Sequence, residues 1–329
     1  MNTNCLFLSA DAVRRALPMR EAIEAMRDAF AQLQRCEVTQ PARLRLDARD
    51  EHGTALVMQC HSASQKLFSL KFITLFDHNP QRGLPLIQST VLLADGSTGA
   101  TLAIMDGASL TALRTGGATG LATELLARPD AATAAIFGCG VQARTQLEAI
   151  ACVCRLRRVW VYDPNVESAR RFSDEMQRQL GIAIDQAASA SAAVADADII
   201  CTVTTSATPV FDDRDIRPGT HINAIGVFRP EMAEVPAATV HRARVVVDHL
   251  VSAREEAGDL LIPFHAGLIS QEHFSTELGE VVLGVKSGRT SAGEITLFKS
   301  VGVAIQDLCA ASRALANARR LGLGSTLQS

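Results

Sequence analysis

The chain has 329 residues, 47% hydrophobic, 20% charged and 4% aromatic, with a formal net charge of -3. That composition suits a globular protein with room for two domains. It argues against a nucleic-acid partner, which needs a basic surface and stacking aromatics, and no uncharged apolar run reaches the roughly 18 residues of a membrane span.

The opening stretch MNTNCLFLSADAVRRAL has an apolar run too short for a secretion signal, so a cytoplasmic location is expected. Ser9 to Leu33 reads as one helix, with Ser9 or Asp11 able to cap its start. Segments 42–48, 55–62, 68–76, 85–95 and 99–106 then alternate or carry β-branched residues between Gly, Asp and Pro, which predicts an antiparallel meander of about five strands. Asp95-Gly-Ser-Thr-Gly99 is expected to form a hairpin turn. Residues 108–127 follow as an Ala-rich helix pattern closed by Pro129. Short apolar strands and helices alternate from there to about residue 249, which implies a parallel, doubly wound sheet. Lys299 to Leu321 reads as a last helix that packs back on the first domain. The fold class is therefore α/β: a Rossmann-type doubly wound parallel sheet over 116–302, plus an α+β domain from 1–115 and 303–329 expected to bind substrate and make dimer contacts.

Cys5, Cys36, Cys60, Cys139, Cys152, Cys154, Cys201 and Cys309 form no C-x-x-C pair, and no His stands beside them at zinc spacing. Reduced thiols and no metal are expected. His61, His78, His221, His249 and His265 are scattered. Ser109 and Thr111 have no His or Asp partner at useful spacing, so no nucleophile is read. Asp77-His78 reads as a solvated loop, and Asp248-His249 as a cap for the helix after it.

The segment AAIFGCGVQAR places Gly138, Gly140 and Ala143 in a G-x-G-x-x-A spacing. Alone the pattern is weak, because glycines punctuate many turns. Here a buried-strand pattern ends in Gly138 and a helix pattern starts after Gly140. The next strand, RVWVYD, ends in Asp163. Strand, glycine turn, helix and acid together point to a dinucleotide: the amides face a pyrophosphate and the acid accepts from a ribose. A carboxylate there repels a 2′-phosphate, which favours NADH, while Arg170 and Arg171 leave NADPH possible.

Three basic residues stand out: Arg43 in QPARLRL, Lys71 in SLKFITLF and Arg114 in TALRTGG. Taken singly, Lys71 reads as a solvent-facing edge position, and Arg114 as the partner of Asp106 or Glu124. Taken together at a domain junction they suit a clamp for a small carboxylate.

The chain resembles the ornithine cyclodeaminase/μ-crystallin family. The matching stretches, in the family's order, are 105–123, 136–147, 197–211, 221–235, 275–289 and 294–308, beginning MDGASLTALRTGG and ending EITLFKSVGVAIQDL. The resemblance implies a homodimer, a Rossmann domain for NADH or NADPH, and a substrate carboxylate held by Arg43, Lys71 and Arg114, with Arg45 the alternative to Arg43. It places Thr115, Gly138, Gly140, Val141, Gln142, Asp163, Thr202, Thr204, Val227 and Ser300 at cofactor-contacting positions. Cyclodeaminases of the family carry an aspartate two residues after the glycine of N-A-V-G. Here the segment is Asn223-Ala-Ile-Gly-Val-Phe-Arg-Pro230, and Phe228 holds that position, where it cannot transfer a proton. The G-x-x-R-P form is similar to the ketimine reductases, which reduce Δ1-pyrroline-2-carboxylate or Δ1-piperideine-2-carboxylate. The expectation is therefore reduction of a cyclic imino acid to L-proline or L-pipecolate, with Lys71 as proton donor and Phe228 against the ring. The alternatives are a cyclodeaminase or amino-acid dehydrogenase using another acid, such as Asp77 or Glu231, and a non-catalytic nucleotide-binding protein.

Overall fold

A computed structural model describes residues 5–327. The reading of the opening stretch includes residues 1–4, which lie outside the described residues. The chain opens with β1 (Cys5–Leu8), α1 (Ala10–Ala16) and α2 (Met19–Gln34). It continues through β2 (Val38–Thr39), β3 (Leu44–Ala48), β4 (Gly53–Ser62), β5 (Leu67–Phe76), β6 (Ile87–Asp95) and β7 (Thr101–Asp106). Next come α3 (Gly107–Leu126), β8 (Thr133–Phe137), α4 (Val141–Val153), β9 (Arg158–Tyr162), α5 (Val166–Leu180) and β10 (Ala183–Gln186). Then follow α6 (Ala190–Val194), β11 (Ile199–Thr202), β12 (His221–Ala224), α7 (Ala237–Arg242) and β13 (Arg244–Val247). The last elements are α8 (Leu250–Glu256), α9 (Gly258–His265), α10 (Leu278–Val282), β14 (Thr296–Lys299), α11 (Ala304–Leu321) and β15 (Ser325–Leu327). No helix among the described residues is long and apolar enough to cross a membrane.

The chain divides into two compact units, Met1–Arg114 with Val303–Ser329, and Thr115–Gly302. In the first, β3 to β7 form the antiparallel meander, and β1, β15 and β2 extend it to eight strands. The Asp95 turn closes β6 onto β7: its carboxylate accepts from the amides and hydroxyls of Ser97 and Thr98. One face of this sheet is apolar and buried. Met58, Lys71, Val91 and Met105 lie side by side on it across four strands. The helix α11 covers it, burying Ile305, Leu308, Ala311 and Leu315, and each fully buried Leu or Ile contributes about 1.5–3 kcal/mol.

In the second unit seven strands are all parallel, in the order β10-β9-β8-β11-β12-β14-β13. The strands β8, β11, β12, β14 and β13 are buried on both faces, which is why they read as short continuous apolar runs. Chain order reverses between β8 and β11, and ligands bind outside the carboxyl ends of the strands at such a point.

Two element boundaries differ from the sequence reading. The first helix is two helices, because Leu17 precedes Pro18 and is pushed out of helical conformation, with φ -127° and ψ 70°. The last helix does not begin at Lys299. Thr296–Lys299 is the strand β14, inserted between β12 and β13, Gly302 turns the chain at φ 82°, and α11 starts at Ala304. A fully buried strand of four residues carries no periodicity that separates it from a helix.

Candidate active site

The residues expected to form the site fall into two sets, one in each unit. In the first, Lys71 sits on the central strand β5, paired on both sides by β4 and β6, and is only 1% exposed. The edge-strand reading of Lys71 is therefore wrong: the side chain points to the face under α11. Its Nζ lies 2.6 Å from Oδ2 of Asp307, itself 1% exposed. The same carboxylate accepts from Nε of Arg114 at 3.2 Å through Oδ1. Gln306 Oε1 accepts from Arg114 Nη1 at 2.9 Å and from its own helix's Val303 amide at 3.1 Å. Arg114 thus pairs with Asp307, not with Asp106, which accepts the Ser109 amide at the start of α3.

Burial pushes the Lys71 ammonium down to about 8, the charges of Arg114 and Arg43 push the same way, and Asp307 opposes them. Arg43 precedes β3, in line with Met58 and Lys71 on the neighbouring strands. Arg45 is exposed and tied to Asp47 and Thr54, so the structure puts Arg43, not Arg45, within reach of Lys71. Asp77 and Glu231 are exposed.

In the second unit, β8 ends at Phe137 and α4 starts at Val141, so the glycine turn lies between them. Gly138 has φ +88°, and a Cβ there would stand 2.8 Å from the Val203 carbonyl oxygen. Gly140 is the N-cap of α4 with φ -75°, and a Cβ there would meet nothing within 4 Å. The first glycine lets β8 and β11 approach closely, and the second leaves the amide end of α4 open to a ligand. Asp163 closes β9 onto this turn, accepting from the Cys139 amide at 2.8 Å and the Asn165 amide at 2.8 Å. Arg144 holds the other side of the loop. Its Nη1 donates to the Cys139 and Gly140 carbonyls, while Nε and Nη2 grip Glu175. The Gly138 amide is taken by the Tyr162 carbonyl and the Cys139 amide by Asp163, so the amides at the start of α4 are the ones that can face an anion. Arg170 and Arg171 lie exposed on α5, paired with Glu167 and Asp174. These residues fit a dinucleotide with an unphosphorylated ribose.

Of the other residues expected to contact cofactor, Thr202, Thr204, Val227 and Ser300 lie at or beyond the carboxyl ends of β11, β12 and β14. Thr202 ends β11, Thr204 follows it, Val227 lies past β12 and Ser300 past β14. Two buried acids fix these loops. Glu234 accepts the Thr204 amide at 2.6 Å, the Gly226 amide at 2.8 Å and the Val227 amide at 3.2 Å. Burial pushes its carboxyl up, opposed by Lys299 and the backbone donors. Lys299 in turn bonds Asp259 at 2.7 Å and the Val227 carbonyl at 2.6 Å. Of the pair Asp248-His249, His249 stands at the N-cap of α8, its ring bonded to the Ser252 hydroxyl, while Asp248 faces the loop after β14. Its Oδ2 accepts the Ser300 hydroxyl and the Val301 and Gly302 amides, and Glu277 accepts the Leu250 amide. Thr115 is buried in α3, and Phe228 is 40% exposed.

Sequence reasoning did not single out Asp307, Gln306 or Glu234, and it read Asp248 only as part of a helix cap. A usable signal was present: each stands in an apolar context, AIQDL, MAEVP or VVVDH, where a charge or amide must have buried partners. Among the described residues no group of three or more His, Cys, Asp or Glu is placed to hold a metal, and no disulfide joins the cysteines.

The family model for the ornithine cyclodeaminase/mu-crystallin family matches residues 3–320. A Delta(1)-pyrroline-2-carboxylate reductase of Bacillus cereus is 36% identical over 324 residues, covering 98% of this chain and 99% of that one. Among solved structures, the Thermococcus litoralis Delta(1)-pyrroline-2-carboxylate reductase in complex with NADH and L-proline is similar at a TM-score of 0.94 and 39% identity, over 98% of this chain and 100% of that chain. An archaeal alanine dehydrogenase dimer with bound NAD has a TM-score of 0.91 and 33% identity, over 99% of each chain. The chain belongs to the ornithine cyclodeaminase/mu-crystallin family.

Proposed function

We propose that this chain is an NAD(P)H-dependent ketimine reductase. It converts Δ1-pyrroline-2-carboxylate, Δ1-piperideine-2-carboxylate or both into L-proline or L-pipecolate, as a cytoplasmic homodimer. The observation that carries the reading is the buried Lys71–Asp307–Arg114 cluster, in a family relative of which was solved with NADH and L-proline. Asp163 and the paired state of Arg170 and Arg171 favour NADH over NADPH.

The reduced nicotinamide supplies the hydride. Arg43, Lys71 and Arg114 hold the substrate carboxylate, and such orientation can lower a barrier by roughly 7–11 kcal/mol in the best cases. Lys71 gives a proton to the ring nitrogen as the C=N carbon takes the hydride, so C=N becomes CH–NH and Lys71 regains its proton from water. A donor held at about 8 is protonated at neutral pH yet gives up its proton more readily than an ordinary lysine. Phe228, in the place of the cyclodeaminase aspartate, offers an apolar ring surface and no proton. The homodimer is supported by the second face of the first unit's sheet. There Phe7, Leu44, Leu46, Phe68, Leu70 and Phe72 are all 40–63% exposed, an apolar patch of the kind that marks an interface.

The test follows nicotinamide absorbance with each cyclic imino acid, using NADH and then NADPH, beside an arm with L-ornithine and NAD+ assayed for ammonia. Fast oxidation of reduced cofactor in the first arm, lost in Lys71→Ala, is expected. Ammonia release from ornithine, or near-normal turnover in Lys71→Ala, would overturn the assignment.

A further inference from the structure

The clamp raises an electrostatic difficulty. Hydride transfer needs the ring nitrogen protonated, and three cations gathered around the substrate oppose a second positive charge in their midst. The substrate's own carboxylate offsets only one of them. The nearest fixed anion is Asp307, and its geometry answers the difficulty.

Asp307 lies in the first turn of α11, where the helix dipole favours an anion. It is 1% exposed and touches both inner cations, Lys71 at 2.6 Å and Arg114 at 3.2 Å, through different oxygens. A buried acid bridging two buried bases is not needed for stability, since apolar residues of equal volume usually serve as well or better. The other groups facing Lys71 add no negative charge. Arg114 comes from α3 and Arg43 from the start of β3. Beside Asp307 the Cys60 thiol of β4 is pushed up to about 12 by burial, by Cys309 and by the negative charge of Asp307, and so adds no charge.

From this we infer that Asp307 is a positioning residue that tunes the clamp for a zwitterion: it holds Lys71 and Arg114 on the substrate carboxylate while supplying the negative charge that a protonated ring requires. The inference rests on the ketimine-reductase reading and deepens it. The proton still passes from Lys71 Nζ to the ring nitrogen. One N–H bond breaks and another forms, and Asp307 neither gains nor loses a proton.

The test compares two ligands of similar shape and different ring charge in the NAD+-saturated enzyme. L-proline has a carboxylate and a cationic ring nitrogen, whereas pyrrole-2-carboxylate has a carboxylate and a neutral ring. In Asp307→Asn, binding of L-proline measured by calorimetry is expected to weaken at least tenfold. Binding of pyrrole-2-carboxylate should change less than threefold or tighten, because the clamp has become more positive. Asp307→Glu should restore part of the L-proline affinity. Equal weakening of both ligands, or no change in either, would overturn the inference and leave Asp307 a packing residue. Unchanged NAD+ affinity in each variant confirms a folded second unit. Should the unmodified enzyme bind neither ligand, the ketimine-reductase reading itself fails, and this inference with it.

Discussion

The two glycines of the loop make different demands, and alanine at each separates them. At Gly138 the backbone stands at φ +88°, and an added Cβ would lie 2.8 Å from the Val203 carbonyl oxygen and 3.0 Å from Thr204 Cγ2. A left-handed conformation costs an ordinary residue about 1–2 kcal/mol, and forcing a methyl into a packed contact costs about 1–3 more. Gly138→Ala should therefore destabilise by roughly 2–5 kcal/mol in sum. At about 2–4 °C per kcal/mol for a unit of this size, the Tm should fall by roughly 4–20 °C. At Gly140 the backbone is ordinary, at φ -75°, and no atom lies within 4 Å of the added carbon. Gly140→Ala should leave Tm unchanged or raise it slightly, since alanine narrows the unfolded ensemble by about 0.4–1 kcal/mol. Its methyl projects from the amide end of α4, where the pyrophosphate would approach. NADH affinity, followed by fluorescence titration, should fall at least tenfold, or about 1.4 kcal/mol. Full NADH affinity in Gly140→Ala would refute the phosphate cradle. An unchanged Tm in Gly138→Ala would refute the close packing of β8 on β11.

Three further outcomes follow from the geometry. Glu234→Gln keeps the shape but turns an N–H toward at least one of three backbone donors; a stability loss of about 1.5–3 kcal/mol with weaker NADH binding is expected, and an unchanged melt would show that the carboxylate does not hold these loops. Lys71 stands at about 8 in the fold against about 10.4 unfolded, so its ammonium costs stability that is regained as pH rises through that interval and lost again as pH falls through about 8. Wild type should gain up to about 3 kcal/mol over Lys71→Met between pH 8 and 10.5, read as the difference in their denaturant midpoints, and a flat difference would contradict the burial. Replacing Leu70 and Phe72 together by Glu should yield a monomer in sedimentation experiments; a dimer that survives would place the interface elsewhere.

The meander was legible because residues of β4 to β6 alternate between a covered and an open face, and a period of two survives any uncertainty about what covers them. The glycine turn was legible because strand, turn, helix and acid occur in one short stretch of chain. What failed were features decided by partners distant in sequence. TLFK becomes a strand because β12 and β13 flank it on either side. Lys71 becomes buried because α11, from the far end of the chain, lies over that face of β5. A lysine in a strand suits a wet edge until a helix covers it.

The buried acids show why a site is harder to read than a fold. Glu234, Asp248 and Asp307 each bond to groups far from them in sequence or across a strand edge: backbone amides for the first two, cationic side chains for the third. No spacing rule records such partners, since a backbone amide has no residue type. Yet each acid lies in an apolar run where an unpaired carboxylate would cost several kcal/mol. An acid in such a run states that partners exist without saying which. For Glu234 and Asp248 they are the loops at the carboxyl edge of the parallel sheet, which turns a structural necessity into placement of Val227 and Ser300. For Asp307 they are the two bases of the clamp, so the residue the apolar pattern marks as least suited to its helix has the most direct bearing on charge at the substrate.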